Sequence, residues 1–274
     1  MPVPEHTDHA PAADDRAAGA PEVAMPAVFE TLAAERRPDA APDAAAALDA
    51  VADAPVQLAV FDFDGTSIEG NSPVLLVQHL MERGMLRKRV IFRILLWAAA
   101  YKLRLPQNES KVRSLVFTAF EGRSADEVDR FLADFYDERI ALLFRPEADA
   151  AMRAHAAAGD TVVVISATFE PIILRAMEHH PFAFQISTRM RKAPDGTYTR
   201  EVEGLPVEGE EKIAAVQRFG DGRFGPGNWV LDSAYGDHHS DRAVLGAARH
   251  AFAVDPDRPL ARTAREKGWT VLGW

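Results

Sequence analysis

Two aspartates stand either side of one phenylalanine where an apolar run stops, in AVFDFDGTSIEGN at positions 59–71. Residues two apart on an extended chain point the same way. Asp62 and Asp64 are therefore expected to lie side by side and repel, which raises the pKa of at least one of them. A divalent, oxygen-seeking cation relieves such repulsion. Mg2+ suits the position because it takes few carboxylates and keeps waters or phosphate oxygens as its other ligands. With one carboxylate on the metal, the other can shuttle protons, and an aspartate can itself attack phosphorus to give an acyl phosphate. Gly65 permits a tight turn and lets its backbone N–H approach an oxyanion.

Two further apolar runs end in the same manner. DTVVVISAT (160–168) closes on Ser166 and Thr168, and NWVLDSAYGD (228–237) leads into Asp237 and Asp241. Ligands of an open parallel sheet collect at the carboxyl ends of its strands, so three polar strand ends in one chain are the main functional signal. Singly, each has a plainer reading. An isolated Asp-x-Asp is usually a strand end or turn, Ser166 an ordinary helix cap before FEPIILRAM, and Lys212 a surface lysine. The pairs His179–His180 and His238–His239 carry no zinc expectation: adjacent histidines point apart on a helix, and no third ligand lies at a suitable spacing. FGDGRFGPGN (219–228) is glycine-rich but lacks the Lys-Ser/Thr ending of a phosphate-binding loop, and is expected to be a turn.

The elements that must position these residues follow from the pattern around them. VQLAVFDFD from Val56 is a continuous apolar run, as in a central parallel strand. The runs at 160–168 and 228–237 repeat it, with shorter strands expected at 250–256 and 269–273. Helical spacing appears between them: PEADAAMRAHAAAG, with Pro146 at the first helical position and Gly159 as a stop, then EPIILRAMEHH, GEEKIAAVQRFG and SDRAVLGAARH. Alternating strands and helices imply an α/β fold, a parallel sheet covered on both faces. Residues 72–145 break the alternation with four helical stretches and no strand, the last opening on a capping box of Ser124 with Glu127. This is an all-helical insertion after the first strand. ISTRMRKAPDGTYTREVEG (186–204) reads as two short strands around a Pro-Asp-Gly turn.

Bulk properties narrow the function classes. The chain has 274 residues, 47% hydrophobic and 26% charged, ordinary for a globular protein. Its net charge of -10 argues against a general nucleic-acid binder but not against an anionic substrate, since one metal ion reverses the field locally. Without cysteine there is no disulfide, thiolate catalysis or cysteine-ligated zinc. No secretory signal or membrane span is visible, and a cytoplasmic location is expected. Residues 1–55, rich in Ala, Pro and Asp, are expected to form a mobile tail. The apolar stretch LRKRVIFRILLWAAAYKLR (86–104), flanked by basic residues, reads first as a buried helix and second as an interfacial helix meeting anionic lipid.

The stretch Asp62 to Thr66 resembles the first motif of the haloacid dehalogenase superfamily, Asp-x-Asp-Gly-Thr. Ser166, Lys212, and the pair Asp237 and Asp241 in GDHHSD are similar to its second, third and fourth motifs. The helical insertion sits where the family carries a cap. Asn71–Ser72, AVDPD (253–257) and KGW (267–269) resemble the phosphoserine-phosphatase-like branch. The resemblance spans residues 56–274 and implies a Rossmann-like core made of 56–71 and 146–274, with a helical cap at 72–145. It further implies a Mg2+-dependent phosphatase acting on a small phosphorylated substrate. Asp62 would be the nucleophile and Asp64 the proton carrier. Asp62, Asp237 and the carbonyl of Asp64 would hold the metal, with Asp241 supporting it. Gly65, Ser166, Ala167 and Lys212 would bind phosphate. A phosphotransferase or mutase, a lipid-phosphate phosphatase at a membrane surface, and a non-catalytic binding module are the alternatives. Two positions depart from the pattern: Ser67 stands where Leu or Ile normally packs, and His238 where a small residue is usual. The branch's phosphoserine-binding Glu and Arg have only loose counterparts in Glu69, Asn71 and Arg113.

Overall fold

The computed structural model describes residues 54–86, 88–93 and 116–274. Residues 1–53 of the expected tail, and most of the apolar stretch 86–104, lie outside the described residues, as does Arg113. Among the described residues, no helix is long and apolar enough to cross a membrane.

The apolar run at the start of the fold is β1 (Val56–Asp62). Leu58 to Phe61 are wholly buried, as a strand covered on both faces requires. The chain continues through α1 (Ser72–Glu82), α2 (Ala125–Phe135) and α3 (Pro146–Ala157) to β2 (Thr161–Phe169) and α4 (Glu170–Met177). β3 (Phe184–Thr188), β4 (Met190–Lys192) and β5 (Tyr198–Val202) lead to α5 (Glu210–Phe224) and β6 (Trp229–Gly236). A 3-10 turn (His239–Asp241), α6 (Arg242–Ala247), β7 (His250–Val254), α7 (Arg258–Lys267) and β8 (Thr270–Leu272) complete it.

Six strands form one parallel sheet in the order β3-β2-β1-β6-β7-β8. β1 is thus flanked by β2, with Asp62 level with Ile165, and by β6, with Phe61 level with Tyr235. The alternation of a strand divides the core in two. Ala59 and Phe61 join Val162 and Val164 under Leu76, Leu132, Met152 and Ile172. Leu58 and Val60 join Val163 and Ile165 under Val216, Leu245 and Leu260. On the first face Phe61, Tyr235 and Phe252 stack across three strands, with ring centroids 4.1 and 4.5 Å apart. The buried His155 ring bridges Asp160 at 2.6 Å and the Tyr235 hydroxyl at 2.8 Å, so these polar groups are satisfied inside the core.

Four local expectations are corrected. The helix expected over 124–144 ends at Phe135, followed by a π turn (Tyr136–Ile140) and a 3-10 turn (Ala141–Leu143). The buried Tyr136 hydroxyl is held there by His180 at 2.8 Å. Ser124 makes no side-chain cap: its backbone bridges to Thr197, and Glu127 pairs with Arg123 instead. Of the stretch 186–204, Ile186–Thr188 belongs to β3 in the main sheet, and the hairpin is β4 with β5. The glycine-rich stretch 219–228 is a turn only from Gly225, since α5 runs to Phe224. Gly220 is required inside that helix because the Trp229 ring lies where a Cβ would sit, 2.2 Å away.

Candidate active site

The sheet order delivers the polar strand ends to one rim. Asp62 closes β1, Ser166 and Thr168 lie near the carboxyl end of β2, and Asp237 follows β6. Lys212, in the first turn of α5, reaches in from the second face. Its Nζ donates to Asp62 Oδ1 and to Asp241 Oδ1, both at 2.6 Å, and all three groups are buried. Asp62, Asp237 and Asp241 each offer a carboxylate oxygen, and these lie within 4.8 Å of one another. Thr66 Oγ1 donates to Asp237 Oδ1 at 3.2 Å.

Three carboxylates against one ammonium leave an excess of negative charge in a buried place. Burial pushes the Asp62 carboxyl well above its usual range, and the Asp241 charge adds to this, while Lys212 opposes it. Burial, then Asp241, pushes Asp237 up to about 7. Burial works against the Lys212 charge, yet Asp62 and Asp241 outweigh it and hold Lys212 above its ordinary value. A cluster of hard oxygen donors whose charges repel, open to one more cation, fits Mg2+.

Asp64 is not part of this cluster. Its Oδ1 accepts from the Ser72 backbone N–H at 2.5 Å, where α1 begins, and its Oδ2 accepts from Thr168 Oγ1 at 3.1 Å. The Ser72 and Thr168 hydroxyls are bonded to each other. Burial raises the Asp64 pKa, and the donors Ser72 and Thr168 hold it down. The expected repulsion between Asp62 and Asp64 is therefore replaced by repulsion of Asp62 with Asp241 and Asp237. The reason is local: β1 ends at Asp62, and the chain turns before Asp64, so the two-residue alternation no longer applies.

Gly65 is also corrected. Its N–H donates to the Gly70 carbonyl at 2.9 Å instead of facing an open oxyanion position. The glycine is needed for space and conformation: its φ is +76°, and a Cβ would sit 2.2 Å from Asp237 Oδ2. Ser166 is buried and its Oγ accepts from the Thr168 N–H at 3.0 Å, with half-buried Ala167 between them. Ser67 is fully buried. Its hydroxyl donates to the Asp62 carbonyl at 2.6 Å, and fully buried Ile68 supplies the packing one residue later. Asn71 caps α1 by accepting from Val74 N–H, and Glu69 is exposed.

His238 does not crowd the acids. Its backbone N–H donates to Asp241 Oδ2 at 3.1 Å, while its ring faces Ser240 and Asp257. His238 caps the short 3-10 turn that His239 opens, and their ring centroids lie only 4.0 Å apart. The third group that the spacing did not reveal is Asp257, in the loop after β7. Arg145 was missed as well. It donates to Asp255 at 3.0 Å, to the Trp274 carbonyl at 2.7 Å and to the Gly65 carbonyl at 3.3 Å, bracing the turn after β1. Nothing in the sequence near Arg145 marks it; the Thr168 role was visible only as one more hydroxyl at a strand end.

The family profile of haloacid dehalogenase-like hydrolases matches residues 59–246. A phosphoserine phosphatase of Mycobacterium tuberculosis is 28% identical over 276 residues, covering 97% of this chain and 83% of that protein. A histidinol-phosphatase of Neisseria meningitidis is 28% identical over 234 residues, covering 79% of this chain and 98% of the other. Among solved structures, a protein of unknown function from Bordetella pertussis superposes with a TM-score of 0.70 at 23% identity, over 80% of this chain and 98% of that one. A phosphoserine phosphatase holding a phospho-aspartyl intermediate analogue superposes with a TM-score of 0.52 at 19% identity, over 80% and 93%. The structural likenesses share the parallel-sheet fold. The profile match spans most of the sheet and all four motifs, so the chain belongs to the haloacid dehalogenase-like hydrolases and is an enzyme of their phosphatase type.

Proposed function

We propose that this protein is a Mg2+-dependent hydrolase of small phosphomonoesters that works through an aspartyl-phosphate on Asp62. The observation that carries the reading is the separation of two neighbouring carboxylates into different surroundings. Asp62 sits in an acid cluster against a lysine, and Asp64 sits among neutral hydrogen-bond donors. Environments that divide two acids in this way assign them different tasks.

In the first step an Asp62 carboxylate oxygen attacks phosphorus, and the bond from phosphorus to the ester oxygen breaks. Asp64, its pKa raised by burial, gives its proton to the departing alcohol. In the second step Asp64, now ionised, takes a proton from water, which attacks the acyl phosphate and frees Asp62 and phosphate. Lys212 opposes the burial that favours the neutral form of Asp62, and Lys212, Ser166 and the backbone at Ala167 bind the phosphoryl oxygens. Asp62 and Asp237 would hold Mg2+, with the main-chain carbonyl of Asp64 and with Asp241 beside them; the ion supplies charge neutralisation for phosphoryl transfer. Thr66 orients Asp237 for this. Residues 72–145, which contribute no strand among the described residues, would form the cap that selects the substrate. Small phosphorylated compounds are the substrates named for both relatives.

The test is phosphate release with Mg2+ across sugar, amino-acid, nucleotide and lipid phosphates, beside Asp62→Asn. The wild-type protein, quenched in acid, should carry phosphate that hydroxylamine removes. Asp62→Asn should lose both the label and activity, by about a thousand-fold or more. Full activity in that variant would end the proposal.

A further inference from the structure

Outside the acid cluster, the described residues contain one other group of metal-ligating side chains drawn together from distant parts of the chain: His238, His239 and Asp257. His238 and His239 stand in the loop after β6, and Asp257 stands in the loop between β7 and α7. We propose that these three residues form a second metal site, for a borderline cation of the Zn2+ class, on the outer side of the loop that carries Asp237 and Asp241.

The geometry supports this in three ways. First, both imidazoles aim a nitrogen at the same oxygen: Asp257 Oδ2 lies 3.1 Å from His239 Nδ1 and 3.5 Å from His238 Nε2. The three ligand atoms lie within 4.8 Å of one another, so small rotations of partly exposed side chains bring them onto one ion. Second, the rest of each ligand is already held. His238 Nδ1 faces the Ser240 hydroxyl at 3.0 Å and the Ser240 N–H at 3.4 Å, which holds the ring in place. The other oxygen of Asp257, Oδ1, caps α7 by accepting from Leu260 N–H at 2.7 Å. Third, an ion can reach the site. The histidine side chains are 42% and 46% exposed, and His239 lines an open groove of about 640 Å³ with Glu210 and Arg242.

Donor chemistry separates this site from the acid cluster. Two imidazoles and one carboxylate are the donors that Zn2+ takes in three-ligand sites, with water in the fourth position. Mg2+ prefers oxygen, so the two sites divide the cations between them. They are also mechanically joined. The His238 backbone N–H donates to Asp241, and the Asp257 N–H donates to the Asp237 carbonyl at 2.8 Å. An ion bridging 238, 239 and 257 would tie together the two loops that support the acids.

Equilibrium dialysis of the full chain against Zn2+, with Mg2+ present, tests the proposal. His239→Ala and His238→Ala should each bind one Zn2+ fewer per chain than the wild type. Asp62→Asn should keep that ion, which separates this site from the acid cluster. Replacing Zn2+ by Co2+ should give visible absorption bands that His239→Ala abolishes, with unchanged far-ultraviolet circular dichroism showing that the variant is folded. Equal Zn2+ binding by wild type and both histidine variants would overturn the site, as would loss of the ion in Asp62→Asn alone. The two rings would then be only N–H donors to Asp257.

Discussion

At the scale of the residue, the division of labour proposed for Asp62 and Asp64 rests on what each oxygen accepts. Asp64 is surrounded by donors that favour its ionised form, opposing the burial that favours the neutral form. Removing one donor therefore raises its pKa further. Thr168→Val should lower kcat by about ten-fold, because the acid loses its anchor. It should also move the alkaline limb of the pH–rate profile to higher pH, because Asp64 then keeps its proton longer. A pH–kcat profile with a suitable phosphomonoester checks both. An unchanged alkaline limb would mean that Thr168 only fills space.

At the scale of the element, the turn after β1 has no slack. Gly65 combines a φ of +76° with an Asp237 oxygen where a Cβ would be. Gly65→Ala should displace Asp237, cut activity by at least a hundred-fold, and destabilise the fold by about 1–3 kcal/mol. Urea denaturation beside a phosphate-release assay checks this. The five strands expected from VQLAVFD, VVVIS, WVLD, HAFAV and TVL are present as parallel strands, because continuous apolar runs have no other place to go than the middle of a covered sheet. Their polar ends marked Asp62, Ser166, Thr168, Asp237 and Asp241 without any structure. Contacts depending on chain reversal were not legible. The sequence does not show where β1 stops, so Asp64 was placed beside Asp62 and the Gly65 N–H was given to a ligand. Asp257 is separated from His238 by a whole strand, β7, so no spacing rule could join them. Trp229 lying over Gly220 turned an apparent loop into helix, a tertiary effect that local propensity cannot register.

At the scale of the whole molecule, the acid cluster is a strain on folding that a bound cation would remove. Asp237 is raised to about 7, above the roughly 3.9 of an unfolded aspartate. The folded state therefore binds more protons between those values. Stability from this group is fully present below about pH 4 and is lost as pH rises through about 7. Without metal, Asp237→Asn should thus melt about 2–6 °C higher than wild type at pH 7.5, with the difference shrinking toward pH 4.5. Added Mg2+ should stabilise the wild type more than the variant. Thermal melts at both pH values, with and without Mg2+, decide the matter; a lower melting point for Asp237→Asn at pH 7.5 would contradict it. The turn after β1 carries a further consequence. Its residues Ser67 and Glu69 are tied to Arg145 and Leu143, the Arg145 N–H donating to the Ser67 carbonyl at 2.9 Å and the Glu69 N–H to the Leu143 carbonyl at 2.7 Å. The long excursion between them is a detachable handle with both feet on one spot. A lineage can lengthen it, trim it or exchange it without rethreading a single strand, so novelty in this enzyme has a place to accumulate that leaves the charges underneath untouched.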